Sequence, residues 1–262
     1  MFDTRGHFIP GQDLSFFAYP PSNFYQLNLQ STRDIIHSIA RLYSIDRLSL
    51  SSSFDQLHSN ITEDHSLASC LSGPHLPFYL PASDITDVGT RLVEEVLPIL
   101  SNEFTSTDLD AHFKAVIQDK KQLPNRLQPY PGTRYDELLK ANSNSPVVGF
   151  FFPLAFNQFS VSSQRKAFSL IQSNLSITLS GPLEICSALS ASPRLLMHTE
   201  SYSPILCMSG VQHVDQRLTC CLKSYGPHLE FWVLSNILLP GVEQVSEQWS
   251  GGITIYMKMP LP

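Results

Sequence analysis

The sequence predicts an α+β fold: a helical N-terminal half packed with a mainly antiparallel β-sheet from the C-terminal half. Three observations carry this expectation. Up to about residue 140, apolar side chains recur at helical spacing. From Val147 the pattern becomes a continuous apolar run, followed by two-residue alternation. Turn signals then punctuate the second half at Gly181-Pro182, Ser203-Pro204 and Tyr225-Gly226-Pro227.

Residues 1–30 read as an irregular arm. Phe8, Phe16, Phe17, Tyr19, Phe24 and Tyr25 lie among Pro10, Pro20 and Pro21. Proline breaks helices and central strands, yet six aromatic rings call for apolar cover, from this chain or from a neighbouring subunit. Residues 32–46 predict a helix. Ser31 and Asp34 fit a capping box, and Ile35, Ile36, Ile39, Leu42 and Tyr43 form its apolar stripe. Residues 50–82, rich in Ser, His and Pro, read as loop with one helical turn near Phe54–Leu57.

A second helix is expected over 85–100, capped by Ser83 or Asp84 and kinked or ended by Pro98. Thr105 with Asp108 predicts a third over about 107–120, with Leu109, Phe113, Val116 and Ile117 inward. A fourth covers Tyr135–Ala141. In the second half, Val147–Phe152 suits a buried strand, and Ser162–Gln172 a short helix. Strands are then expected at 176–179 and 183–188, at 195–200 and 205–208, and at 217–223 and 228–234. The last strand, with Ile253, Ile255, Met257 and Met259 alternating with Thr254, Tyr256 and Lys258, reads as having one wet face.

Charge divides the chain. Of 262 residues only 15% are charged, against about 25% in ordinary domains. Residues 1–140 carry 28 charges and the whole net charge of -6, while residues 141–262 carry 12 charges and no net charge. Ala141–Gln164 has none. The sequence therefore divides into an acidic, helix-rich region with an aromatic arm (1–140) and a charge-poor, strand-rich region (141–262), as two units or as layers of one domain. An acidic chain is a poor general nucleic-acid binder. The first residues include Asp3, Arg5, His7 and Asp13 and no apolar run, so no signal peptide is expected. The most apolar stretch is too short for a transmembrane helix. The five cysteines, an odd number, read as reduced thiols in an intracellular setting.

No phosphate-binding loop, dinucleotide fingerprint, nucleophile elbow or zinc-protease motif is present. One cluster could carry chemistry. His213 and Asp215, two residues apart, share a face on a strand, so the carboxylate could orient the imidazole as a general base. Cys207, His213 and Cys220 could ligate a metal, although their spacing is not that of a zinc motif. Lys114, Lys120, Lys121, Arg126 and Arg134 form a basic stretch that could touch nucleic acid. Candidate protein-contact residues are Phe16, Phe17 and Tyr19 in the arm, the Phe150-Phe151-Phe152 run, and Phe231-Trp232. No cofactor is expected. Low charge, serine-rich polarity and the aromatic arm together predict a non-enzymatic structural or assembly protein. Its expected setting is a larger intracellular (cytoplasmic) or viral complex, held by protein partners or self-association. The alternatives are an enzyme using His213 and Asp215, and a subunit contacting nucleic acid through 114–134.

Overall fold

The structure is a computed structural model that describes residues 1–17, 26–107, 110–115, 123–198, 201–235, 237–239, 242–243 and 245–259. Ser31 starts α1 (Thr32–Tyr43) as its spacing predicts: Ser31 Oγ accepts the Asp34 N–H at 3.2 Å and donates to the Asp34 carboxylate at 2.6 Å. Ser44, with φ 52°, turns the chain left-handed and ends the helix. Residues 47–63, expected mostly as loop, form α2 (Arg47–Glu63). Asp46 caps it, its carboxylate accepting the Ser49 N–H at 2.8 Å. Leu50, Phe54, Leu57 and Ile61 supply its buried stripe. A short 3₁₀ turn at Ala68–Ser72 leads into β1 (Leu76–Leu80).

The next helix starts at Val88, not at 85. Asp87 is the cap, accepting the Thr90 N–H at 2.7 Å. It runs as α3 (Val88–Arg91), a π-helical stretch (Leu92–Val96) and α4 (Leu97–Thr105). Pro98 neither ends nor breaks it. It sits in the first turn of α4, where its missing N–H costs least. The helix expected over 107–120 is replaced, in its described part, by the strand β2 (His112–Ala115). Thr105 and Thr107 open no new helix: their hydroxyls donate back to the carbonyls of Ser101 and Glu103 at 2.8 Å and close α4. Val116 and Ile117 lie outside the described residues.

Then follow β3 (Leu127–Pro129), α5 (Tyr135–Ser143), β4 (Val147–Asn157), α6 (Val161–Ser169) and β5 (Ser176–Leu179). The expected strand 183–188 is instead α7 (Pro182–Ala191), buried at all ten positions. Pro182 occupies the first helical turn, and Glu184 reaches back to the Gly181 N–H at 2.6 Å. Residues 195–198 form turn and coil rather than strand. The remaining strands are β6 (Ile205–Cys207), β7 (Val211–His213), β8 (Leu218–Tyr225), β9 (His228–Ser235), β10 (Ile237–Leu239), β11 (Val242–Glu243) and β12 (Trp249–Lys258).

The protein is α+β, with a mixed, mostly antiparallel sheet. Its main path runs β1-β4-β12-β6-β8-β9-β2, and β5 also pairs with β12. Helices come mostly from the first half and strands mostly from the second. The first half nevertheless supplies both outer strands, β1 on β4 and β2 parallel to β9. β12 has no wet face along most of its length: Ile253, Thr254, Ile255 and Tyr256 are all buried. It lies between β4 on one side and β5 and β6 on the other. The Tyr225-Gly226-Pro227 signal yields the expected β8–β9 hairpin, with Gly226 at φ 56° in the turn.

Phe150, Phe151 and Phe152 are at most 2% exposed. α2 covers one face of β4 through Phe54, whose ring centroid is 5.4 Å from that of Phe150. Phe151 faces the other way and fills the space left by the absent side chain of Gly252. In its described residues the start of the arm lies on this same chain: Phe8 packs on Phe156 at 5.4 Å, and Phe16 stacks on Phe159 at 5.8 Å, while Tyr19, Phe24 and Tyr25 lie outside the described residues. Burying a ring as fully as Phe8, Phe156 or Phe159 contributes about 1.5–3 kcal/mol; Phe16, part exposed, contributes less.

Candidate functional site

The residues singled out in the sequence fall into four environments. His213 ends β7, but Asp215 lies beyond the strand. Its carboxylate turns to Arg217 in a bidentate pair at 2.7 and 2.9 Å. That guanidinium holds the Asp215 carboxyl down to about 2. What meets the imidazole is the Asp215 backbone N–H, donating to Nδ1 at 3.0 Å. The pair is thus a turn device; the carboxylate does not orient the ring. Cys207 and Cys220 are buried, and burial pushes both thiols up to about 12. Among the described residues no three His, Cys, Asp or Glu side chains are grouped to hold a metal.

All five cysteines are free and buried. The native chain should therefore resist a thiol reagent such as dithionitrobenzoate at pH 8. Five thiols should appear only in denaturant. Rapid modification of the folded chain would contradict this placement.

Of the basic stretch, Lys114 is exposed on β2 and Arg126 is exposed before β3. Arg134 is half-buried and precedes α5 with φ 58°. Lys120 and Lys121 lie outside the described residues. Of the described members, Lys114 stands on a strand and Arg126 and Arg134 precede β3 and α5, so none of these three lies within a recognition helix. Among the contact candidates, Phe150, Phe151, Phe152 and Phe231 are consumed by the chain's own core. Phe16 is 39% exposed and Phe17 half-buried, while Tyr19 is outside the described residues. Trp232 is half-buried, on the opposite face of β9 from Phe231.

That face of the hairpin carries the best-built surface site. Lys223 and Tyr225 share a side of β8, and Lys223 lies across from Glu230 on β9. The Lys223 ammonium sits 3.6 Å from the Trp232 ring centroid and 4.8 Å from that of Tyr225. It donates to the Tyr225 hydroxyl at 2.9 Å and lies 4.0 Å from the Glu230 carboxylate. Trp232 Nε1–H donates to the same carboxylate at 2.6 Å. Lysine and glutamate cancel, so the cluster is amphipathic and without net charge. Beside it a cleft of about 180 Å³ is lined by Tyr202, Ser203, Ile205, Ser224, Tyr225 and Gln248 together with Lys223. Tyr202 is 63% and Tyr225 53% exposed.

Sequence reasoning named Trp232 here but missed Tyr202, Lys223 and Tyr225. The available signal was the alternation Cys221-Lys223-Tyr225, which places a cation and a ring on one face of a recognised hairpin. A second cleft, of about 220 Å³, holds Arg41, Glu103 and Arg194. Its arginines are already engaged, Arg41 with Glu103 at 2.8 Å and Arg194 with the Thr107 carbonyl at 3.3 Å.

These features define an α+β chain with a small aromatic surface cleft. No protein-family model, curated protein or solved structure matches the chain. No helix among the described residues is long and apolar enough to cross a membrane.

Proposed function

We propose that this chain is a non-enzymatic structural or assembly protein, a subunit of a larger intracellular or viral complex. Its protein partner would dock on the outer face of the β8–β9 hairpin. The observation that carries the reading is the pair of half-exposed tyrosines, Tyr202 and Tyr225, flanking a cleft of about 180 Å³. Ligand pockets usually run to about 300–1,000 Å³. This one takes a single side chain, the scale of an anchor residue at a protein interface. Tyrosine and tryptophan are the residues that interfaces favour, because they bring large contact area with few rotatable bonds. The balanced Lys223–Glu230 pair suits an uncharged, aromatic or aliphatic anchor. The low charge of residues 141–262 agrees with a covered surface.

The test is pull-down and light scattering on the intact chain, side by side with Tyr202→Ala and Tyr225→Ala. Both substitutions are at exposed positions, so folding should survive. Each should weaken association at least about ten-fold, an interface hot-spot effect. A wild-type chain that stays monomeric at high concentration and captures no partner would overturn the reading, as would undiminished association in both variants.

A further inference from the structure

We propose that His112 and His228 form a two-imidazole binding site for a divalent transition metal of tetragonal preference, copper(II) or nickel(II). The two residues are register partners on the parallel pair β2 and β9. Aligned parallel strands point partner side chains the same way, which brings the two rings together at the surface. Their centroids are 3.6 Å apart and their planes tilted by 54°. The two Nδ1 atoms lie 2.7 Å from each other. His112 is exposed and His228 half-exposed, so solvent and ions reach both.

A gap of 2.7 Å between two ring nitrogens requires something between the lone pairs. Without metal it is a proton: one ring donates Nδ1–H and the other accepts. A metal can take that place. Two nitrogens bound cis at about 2.0 Å with a right angle between them are about 2.8 Å apart, the tetragonal arrangement of copper(II) and nickel(II). Tetrahedral zinc, at about 2.0–2.1 Å, needs its nitrogens about 3.3 Å apart. The observed spacing is within about 0.1 Å of the first and about 0.6 Å short of the second. Water completes the coordination shell.

The protons balance. In the neutral pair the donor ring moves its proton from Nδ1 to Nε2, both Nδ1 atoms become ligands, and no proton leaves. The backbone steadies the site: the His112 N–H donates to the Pro227 carbonyl at 3.3 Å, tying the start of β2 to the hairpin turn. A bound ion would bridge β2 to β9, and anything that binds only the folded form raises its stability.

The experiment titrates untagged, full-length protein with copper(II), nickel(II) and zinc(II) by calorimetry, with electron paramagnetic resonance on the copper form. One copper per chain is expected, with an axial spectrum showing imidazole nitrogen coupling. Copper and nickel should bind more tightly than zinc. His112→Asn and His228→Asn should each weaken copper binding at least about ten-fold. His58→Asn and His213→Asn should leave it unchanged. Identical isotherms for wild type and both site variants overturn the proposal. So does a wild-type copper spectrum without imidazole coupling, a result that needs no variant to fold.

Discussion

Replacing Glu184 with alanine should lower the unfolding free energy by about 3–5 kcal/mol, because two buried donors lose their acceptor and a cavity opens. Glu184 is fully buried at the start of α7. Its carboxylate accepts from the Gly181 N–H at 2.6 Å and the Tyr135 hydroxyl at 3.0 Å, with Thr254 Oγ1 at 3.4 Å. Burial outweighs these bonds and pushes its carboxyl up to about 7, from 4.5. The raised acid binds its proton more tightly in the folded chain than in the unfolded one. Its contribution is therefore complete below pH 4.5 and is lost as the pH rises to about 7, a fall of about 3 kcal/mol. Urea titrations across this window should show that slope in the wild type and a flatter one in Glu184→Gln. Equal slopes would mean that the carboxylate stays ionised in the folded chain.

Gly89→Ala is expected to destabilise the protein by about 3 kcal/mol through overpacking, although the same change in a helix ordinarily stabilises it by about 1 kcal/mol. Gly89 lies in α3 with ordinary helical backbone, so strain in φ is not the reason. A methyl group there would overlap the Leu123 carbonyl oxygen and crowd Pro124, both backbone, which cannot swing away as a side chain would. Gly11→Ala is the control, since nothing lies within 4 Å of the added carbon. Thermal unfolding decides it: a Gly89→Ala midpoint at or above the wild-type value would show that residues 123–124 yield at little cost.

The sequence was most legible where structure is local. α1 carries its cap and its stripe within a dozen residues, and the β8–β9 hairpin announces its own turn. α2 was legible in principle, through Asp46 and the spacing of Leu50, Phe54, Leu57 and Ile61. Serine, a middling helix former, masked it. α7 was hidden for a different reason. A helix buried all round has no solvent-facing side, and its polar residues Glu184, Ser187 and Ser190 are few and buried as well, so the short apolar segment reads as a strand. β2 was lost because its partner β9 lies more than a hundred residues downstream. The contact sites suffered most. Consecutive phenylalanines signal apolar cover on both faces; Phe54 of α2 and the His75 ring pack on the Phe150 and Phe152 side, and all three rings are buried within this chain. Glu184 and Tyr135 meet across 49 residues, and His112 and His228 across 116, separations that no local pattern encodes.

The place of β12 bears on how the chain is made. This strand joins β4 to β5 and β6, yet it is translated after every other strand described. Until residues 249–258 have cleared the ribosome, β4 lacks one neighbour and the two wings of the sheet have nothing to join them. The nascent chain must carry Phe150–Phe152 and Ile177–Leu179 beside an unfilled slot until residue 249 and its successors emerge, a condition that invites chaperone binding or aggregation. Completion of the sheet is therefore a late, long-range step. Ribosomes stalled before residue 249 should display chains that proteases cut readily, whereas release of a chain reaching residue 258 should confer resistance at once across both wings.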